Sequence, residues 1–279
     1  MNTKQSKLNI GGLVYRLIAW IFALIFFYPI YFTIISAFKD NNEIWNTMFA
    51  LPSVWNLSNF TDAFRNIQIH KAIANSIIFS TGATVVIIIV VTMASYVIAR
   101  NILKISSALR IYYLLGLMIP AYCMLIPIVQ MFTDLNMRDS YISMILLYAG
   151  INFPMSSFLI TGYIKGINRE IDESAYIDGC SMFTTIFKII MPIAIPGIST
   201  AAIISFLTVY NELIFSTTLL SKKSMHTISV ALLHMKGERF TSLGPMFAAI
   251  VLSILPMMVI YILFQERVEK GLAAGAVKG

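Results

Sequence analysis

Residues 173–192 read ESAYIDGCSMFTTIFKIIMP. Acidic residues crowd one end, a glycine and a serine stand in the middle, and an apolar run with one lysine leads to a proline. Glu170, Asp172 and Glu173 stand where negative charge complements the dipole of a helix start. Gly179 suits the positive φ that ends such a helix, and Ser181 can cap a second one. In that second helix Phe183, Ile186, Phe187 and Ile190 fall at i, i+3, i+4 and i+7, a single apolar stripe. The segment predicts two short amphipathic helices joined by a tight turn.

On either side the chain is almost uncharged. It has 279 residues, 58% of them hydrophobic and 12% charged, with a mean hydropathy of +0.80; soluble domains carry about 25% charge. Six windows lack Asp, Glu, Lys and Arg: 17–38, 72–99, 111–133, 140–164, 189–211 and 240–265. A helix rising 1.5 Å per residue needs about 20 apolar residues to cross a bilayer, and every window reaches that length. The fold class is therefore all-α: a polytopic membrane protein of six transmembrane helices. The first window is too long for a signal-peptide core and reads as a retained span. Pro29, Pro120, Pro127, Pro154, Pro196 and Pro256 lie within spans and predict kinks, which suits a bundle enclosing a path.

The net charge of +7 follows from basic loops and calls for no nucleic acid. With alternating spans, one side receives the N-terminus, 100–110, 165–188 and the C-terminus, with twelve basic residues, and the other receives eight. The positive-inside rule then places both termini in the cytoplasm. Residues 173–192 fall on that same side. An interfacial helix usually shows Lys and Arg to the anionic leaflet, whereas this one shows carboxylates, so a protein partner is the better reading. Residues 39–71 form the longest outside loop and should hold a short helix or two; 133–139 is a tight outside turn.

The opening stretch resembles the EAA loop of permease subunits in bacterial ABC importers. That pattern is E-A-A, three residues, G, nine residues, I, one residue, L, P. Glu173, Ser174, Ala175, Gly179, Ile189, Met191 and Pro192 occupy its places, Ser174 and Met191 being substitutions, and Asp178 before the glycine is also typical. GLAAGAVKG, residues 271–279, resembles the C-terminus of the smaller permease subunit of the maltose importer and its carbohydrate-transporting relatives. YNEL, residues 210–213, resembles a W-N-E-aromatic run in the fifth span of the same group.

The resemblance implies a type I importer (MetI-like) bundle over residues 1–279, with a cytoplasmic coupling loop at 168–196 and a tail at 271–279 that enters the ATPase interface. It implies a second, homologous permease, two ATPase subunits, an extracytoplasmic substrate-binding protein, membrane lipid around the spans and a sugar substrate. Coupling would fall to Glu173, Ser174, Ala175, Asp178, Gly179, Ile189 and Pro192, and the tail contact to Gly271, Lys278 and Gly279. ATP and Mg would sit on the partner ATPase. This chain has no G-x-x-x-x-G-K-[ST] motif, no metal-ligand cluster and no catalytic dyad, so it is expected to be neither an enzyme nor a cofactor carrier.

Three polar positions in spans remain as path or gate candidates. Glu212 ends an otherwise uncharged run; it lines the path, braces a neighbouring helix, or meets headgroups at the outer end of span five. Asn211 and Asn152 are either substrate ligands or helix-packing glue. The basic outside segment 221–240 is either a solvated loop or a contact for the binding protein. The tail, with three glycines and three alanines, should be disordered on its own. An ion-coupled secondary transporter is the alternative function; it would place ionisable groups deep in several spans and break helices in repeat pairs.

Overall fold

The structure, a computed structural model, describes residues 10–65, 68–237 and 243–276. Fourteen helices follow one another among them: α1 (Ile10–Ser36), α2 (Asn41–Asn46), α3 (Ser58–Arg65), α4 (Ile69–Arg100), α5 (Ser106–Met118), α6 (Leu125–Asp134), α7 (Tyr141–Lys165), α8 (Glu170–Ile177), α9 (Met182–Thr184), α10 (Met191–Ile193), α11 (Ile195–Tyr210), α12 (Ile214–Leu219), α13 (Ile228–Gly237) and α14 (Leu243–Ala276). No strand occurs in the described residues. Continuous apolar helices long enough to cross a membrane, Val14–Ser36, Ile69–Arg100, Tyr141–Lys165 and Leu243–Gln265, cover most of the first, second, fourth and sixth uncharged windows.

The third and fifth windows are not straight spans. Between α5 and α6 the axis turns by 92°. Ile119 is extended (φ −85°, ψ 117°) and so is Pro120 (φ −61°, ψ 124°), because a proline ring disfavours helical backbone in the residue before it. Alone, α5 reaches about 20 Å at 1.5 Å per residue, short of the hydrocarbon core. The second bend, 82°, separates Met182–Ile193 from α11. It falls at Ala194, with a proline in the first turn of the helix on each side. Six spans result when each bent pair counts as one.

The chain divides into two units, Met1–Gln68 with Met235–Ile254, and Ile69–His234 with Leu255–Gly279. In the first, α1 exposes apolar side chains around its whole circumference, from Tyr15 and Trp20 to Phe26 and Ile30; such a helix is stable only in an apolar medium. The loop after it holds the two expected short helices. Asp40 caps α2 by accepting from the Glu43 amide. Asn59 of α3 donates to the carbonyls of Ala37 and Lys39, both at 2.9 Å, and the Leu243 amide at the start of α14 donates to Asn41 Oδ1. Lys39 is fully buried, its Nζ 2.6 Å from the Thr47 carbonyl.

In the second unit α4, α7 and α11 pack together around a core that includes Phe79, Ile87, Met144, Tyr148, Ile160 and Ile198. Gly82 permits the α4–α7 approach: a Cβ there would stand 2.6 Å from Ile145. Small polar residues line the buried face of α4, among them Ser76, Ser80, Thr84, Thr92 and Ser95. Small side chains let helix backbones come close without large apolar residues, as packing in lipid requires.

Candidate functional site

The segment 168–196 forms the predicted helix hairpin. Asn168 Oδ1 accepts from the Glu170 amide at 3.2 Å and starts α8. The helix ends at Gly179, whose φ is +77°. The Cys180 amide donates to the Ala175 carbonyl at 2.9 Å and the Gly179 amide to the Tyr176 carbonyl at 3.0 Å, the paired bonds of a Schellman ending. Ser181 then caps the next helix through the Thr184 amide.

Beyond Ser181 the winding changes. Residues Thr185–Ile190 take π-helical turns, so a 3.6-residue period no longer predicts which side chains share a face. Of the expected stripe, Ile186 and Ile190 are buried, whereas Phe183 and Phe187 are exposed. The stripe is divided between a face packed on the bundle and a free face.

Three residues outside the EAA pattern fix α8. Arg100, at the end of α4, forms an ion pair with Asp172 at 2.6 Å, the two side chains 7% and 16% exposed. Tyr96, one turn earlier, donates its hydroxyl to Asp172 Oδ1 at 2.7 Å. Arg100 Nη1 also donates to the Ile167 carbonyl at 3.0 Å. Asp172 thereby takes up the inner face of α8 together with Ala175, and the opposite face stays free: Glu173, Ser174 and Asp178 are exposed, as are Tyr176 (82%) and Ile177 (83%). Ser174, Ala175, Asp178 and Ile189 line one open groove with Asn168, Glu170 and Ile171. Pro192 is exposed past its end. The sequence had offered Asp172 only as a helix-start charge and Arg100 only as a loop cation; tyrosine and arginine four residues apart at a helix end were the available signal.

The polar candidates in the spans separate. Glu212 is 8% exposed. Its Oε1 accepts from the Phe215 amide at 2.7 Å, and Oε2 accepts from the Ser216 amide at 3.0 Å, the Ser216 hydroxyl at 3.0 Å and the Tyr148 hydroxyl at 2.8 Å. The carboxylate caps α12 and ties it to α7 through Tyr148. Asn152 is buried and donates to the Tyr148 carbonyl one turn back at 2.9 Å. Asn211 is exposed and donates to the Leu207 carbonyl.

At the far end of α4, Asn75 Nδ2 donates to the carbonyls of Ser224 and His226 at 2.9 and 3.0 Å, and Ser76 Oγ accepts from the Ile228 amide. Asp139, with φ +52°, accepts from the amides of Ser221 and Lys222. The 221–228 stretch is thus stapled to the bundle while Lys222 and Lys223 stay exposed. Burial, with His234 stacked 5.1 Å away and Lys223 near, pushes the His226 imidazole below its usual range, against the pull of Asp139. Residues 238–240 of the predicted outside segment lie outside the described residues.

The tail departs from expectation. Gly271–Ala276 continue α14 as helix. Extending a formed helix adds one hydrogen bond per residue without a new nucleus, and alanine favours it. Lys278 and Gly279 lie outside the described residues. No group of three or more His, Cys, Asp or Glu among the described residues could hold a metal ion.

Residues 99–274 match the family of binding-protein-dependent transport system inner membrane components. The multiple sugar-binding transport system permease protein of Streptococcus mutans is 31% identical over 280 residues, covering 99% of this chain and 96% of that protein. The melibiose/raffinose/stachyose import permease protein of Bacillus subtilis is 27% identical over 267 residues, covering 95% and 96%. A solved bacterial ABC transporter involved in the import of the acidic polysaccharide alginate has a chain of the same fold, with a TM-score of 0.83 at 19% identity over 95% of this chain and 99% of that one.

Proposed function

The chain belongs to the family of binding-protein-dependent transport system inner membrane components, and from that premise we propose that it is one of two unlike permeases in an ATP-driven importer of oligosaccharides or other sugars. It is a multi-pass membrane permease. The relatives named for sugar uptake support the substrate class. Both termini and α8 face the cytoplasm in this reading, and two ATPase subunits, which carry the ATP and Mg, take the hairpin. The binding protein docks on the outside, where Lys222 and Lys223 project.

One observation carries the coupling role: α8 is anchored through Asp172 while Glu173, Tyr176 and Ile177 face away from the bundle. An acidic helix with two nearly naked apolar side chains beside a membrane is arranged for a soluble protein, not for headgroups. Movement of the ATPases would reach α4 through the Arg100–Asp172 pair. From Arg100 to Ser76, α4 spans about 36 Å at 1.5 Å per residue, and at Asn75 and Ser76 it holds the outer 224–228 stretch. α4 is thus a strut between the ATPase contact and the binding-protein contact, and alternation of the bundle is a two-state shift that both partners bias. Glu212, the carboxylate an ion-coupled mechanism would use, is instead engaged as a helix cap.

Glu173→Lys tests the assignment. It reverses charge on the free face of α8 without touching the Asp172 anchor. Membrane insertion should stay normal while sugar uptake collapses; uptake at the wild-type rate would remove Glu173 from the contact.

A further inference from the structure

A second polar site lies in the bundle on the side of α8, and nothing in the coupling role uses it. A groove between α5 and α7 has Arg110 and Lys165 at one end and Pro154 and Phe158 at the other, with Tyr113 and Thr161 between them. Neither cation has a carboxylate within ion-pair distance among the described residues. Thr161 lines the same groove; it is 6% exposed, and its buried hydroxyl has no hydrogen-bond partner. Gly162 adds a notch, since a Cβ there would meet nothing within 4 Å.

The order of these groups along α7 is informative. Lys165 is the last residue of the helix, Thr161 lies one turn further into the span, and Pro154 lies about 16 Å from Lys165 at 1.5 Å per residue. Two cations and a free hydroxyl at the membrane surface, followed by an apolar trough of that depth, match a charged head and an acyl chain. Basic pockets between helices at this level suit anionic headgroups, and a buried hydroxyl without a partner calls for an acceptor.

We propose that this groove binds an anionic phospholipid of the leaflet on the α8 side. Its phosphate is held by Arg110 and Lys165 and accepts from Thr161, and one acyl chain lies along Leu114, Phe158 and Pro154. A zwitterionic lipid offers the same phosphate but no net charge for the cation pair to favour.

The test uses the assembled importer in nanodiscs of phosphatidylcholine mixed with phosphatidylglycerol, with retained lipid read by native mass spectrometry. Wild type should retain phosphatidylglycerol in preference. Arg110→Gln with Lys165→Gln should lower that retention about tenfold, and Thr161→Val, which keeps the volume, about threefold. Both cations are exposed, so assembly should survive; if the double variant fails to assemble, Thr161→Val alone decides. Equal retention of the two lipids, or unchanged retention in Thr161→Val, would overturn the proposal. Displacement of phosphatidylglycerol by millimolar inorganic phosphate would overturn the lipid assignment in favour of a free-anion site.

Discussion

Asp172→Asn perturbs the anchor of α8 and little else, since the side chain keeps its size and an oxygen for the Tyr96 hydroxyl. What it removes is the counter-charge of Arg100, which stands 2.6 Å away and is 7% exposed. Breaking one partner of a buried pair costs about 3–5 kcal/mol. Asp172 is itself 16% exposed, so the lower end applies, about 3 kcal/mol, or roughly a hundredfold at 1.36 kcal/mol per decade. Tyr96→Phe removes only a hydroxyl donated to the carboxylate and should cost about 1.5 kcal/mol, roughly tenfold. Amide hydrogen exchange of peptides covering 170–178 reads both, because local opening of α8 exposes the Asp172 and Glu173 amides that donate to the Arg169 carbonyl and the Asp178 amide that donates to the Ser174 carbonyl. The order should be wild type, then Tyr96→Phe, then Asp172→Asn, with protection falling by about those factors. A change below about threefold in Asp172→Asn would mean that α8 is held by something other than this pair, and the strut role of α4 would fall with it.

Gly179→Val should disrupt the turn, because a β-branched residue is strained at φ +77°; ATPase subunits should co-purify less well, and unchanged co-purification with unchanged uptake would contradict the turn's role. Glu212→Gln turns one of the two acceptor oxygens into a donor, which must then face the amide of either Phe215 or Ser216, and leaving a buried group unsatisfied costs about 1–3 kcal/mol, so the purified importer should melt several degrees lower; an unchanged melting temperature would show the brace to be idle. Deleting residues 271–279 should leave insertion intact and reduce substrate-stimulated ATP hydrolysis, and a truncated importer with full stimulation would exclude a tail contact.

The uncharged windows were legible because lipid tolerates no unpaired charge, and that constraint acts on composition alone. The turn at Gly179 and the cap at Ser181 were legible because each depends on backbone within a few residues. The bend at Pro120 was not, since a proline in a span kinks some helices and breaks others: Pro29, Pro154 and Pro256 lie inside continuous helices, whereas Ile119 before Pro120 is extended. The fate of Phe183 and Phe187 was hidden by π-winding, which alters the period used to read the stripe. The Arg100–Asp172 pair joins residues 72 positions apart, and Glu212 and Tyr148 are separated by 64; no local pattern announces such partners. Ser174, Ala175, Asp178 and Ile189 come together in one groove because the turn at Gly179 folds α8 back against residues 185–190.

Uptake of a labelled oligosaccharide tests the central claim most directly. The assembled importer, reconstituted with its binding protein in proteoliposomes, should accumulate the sugar only with ATP, with no effect of ionophores that dissipate proton or sodium gradients. Accumulation that continues without ATP and collapses with an ionophore would contradict it.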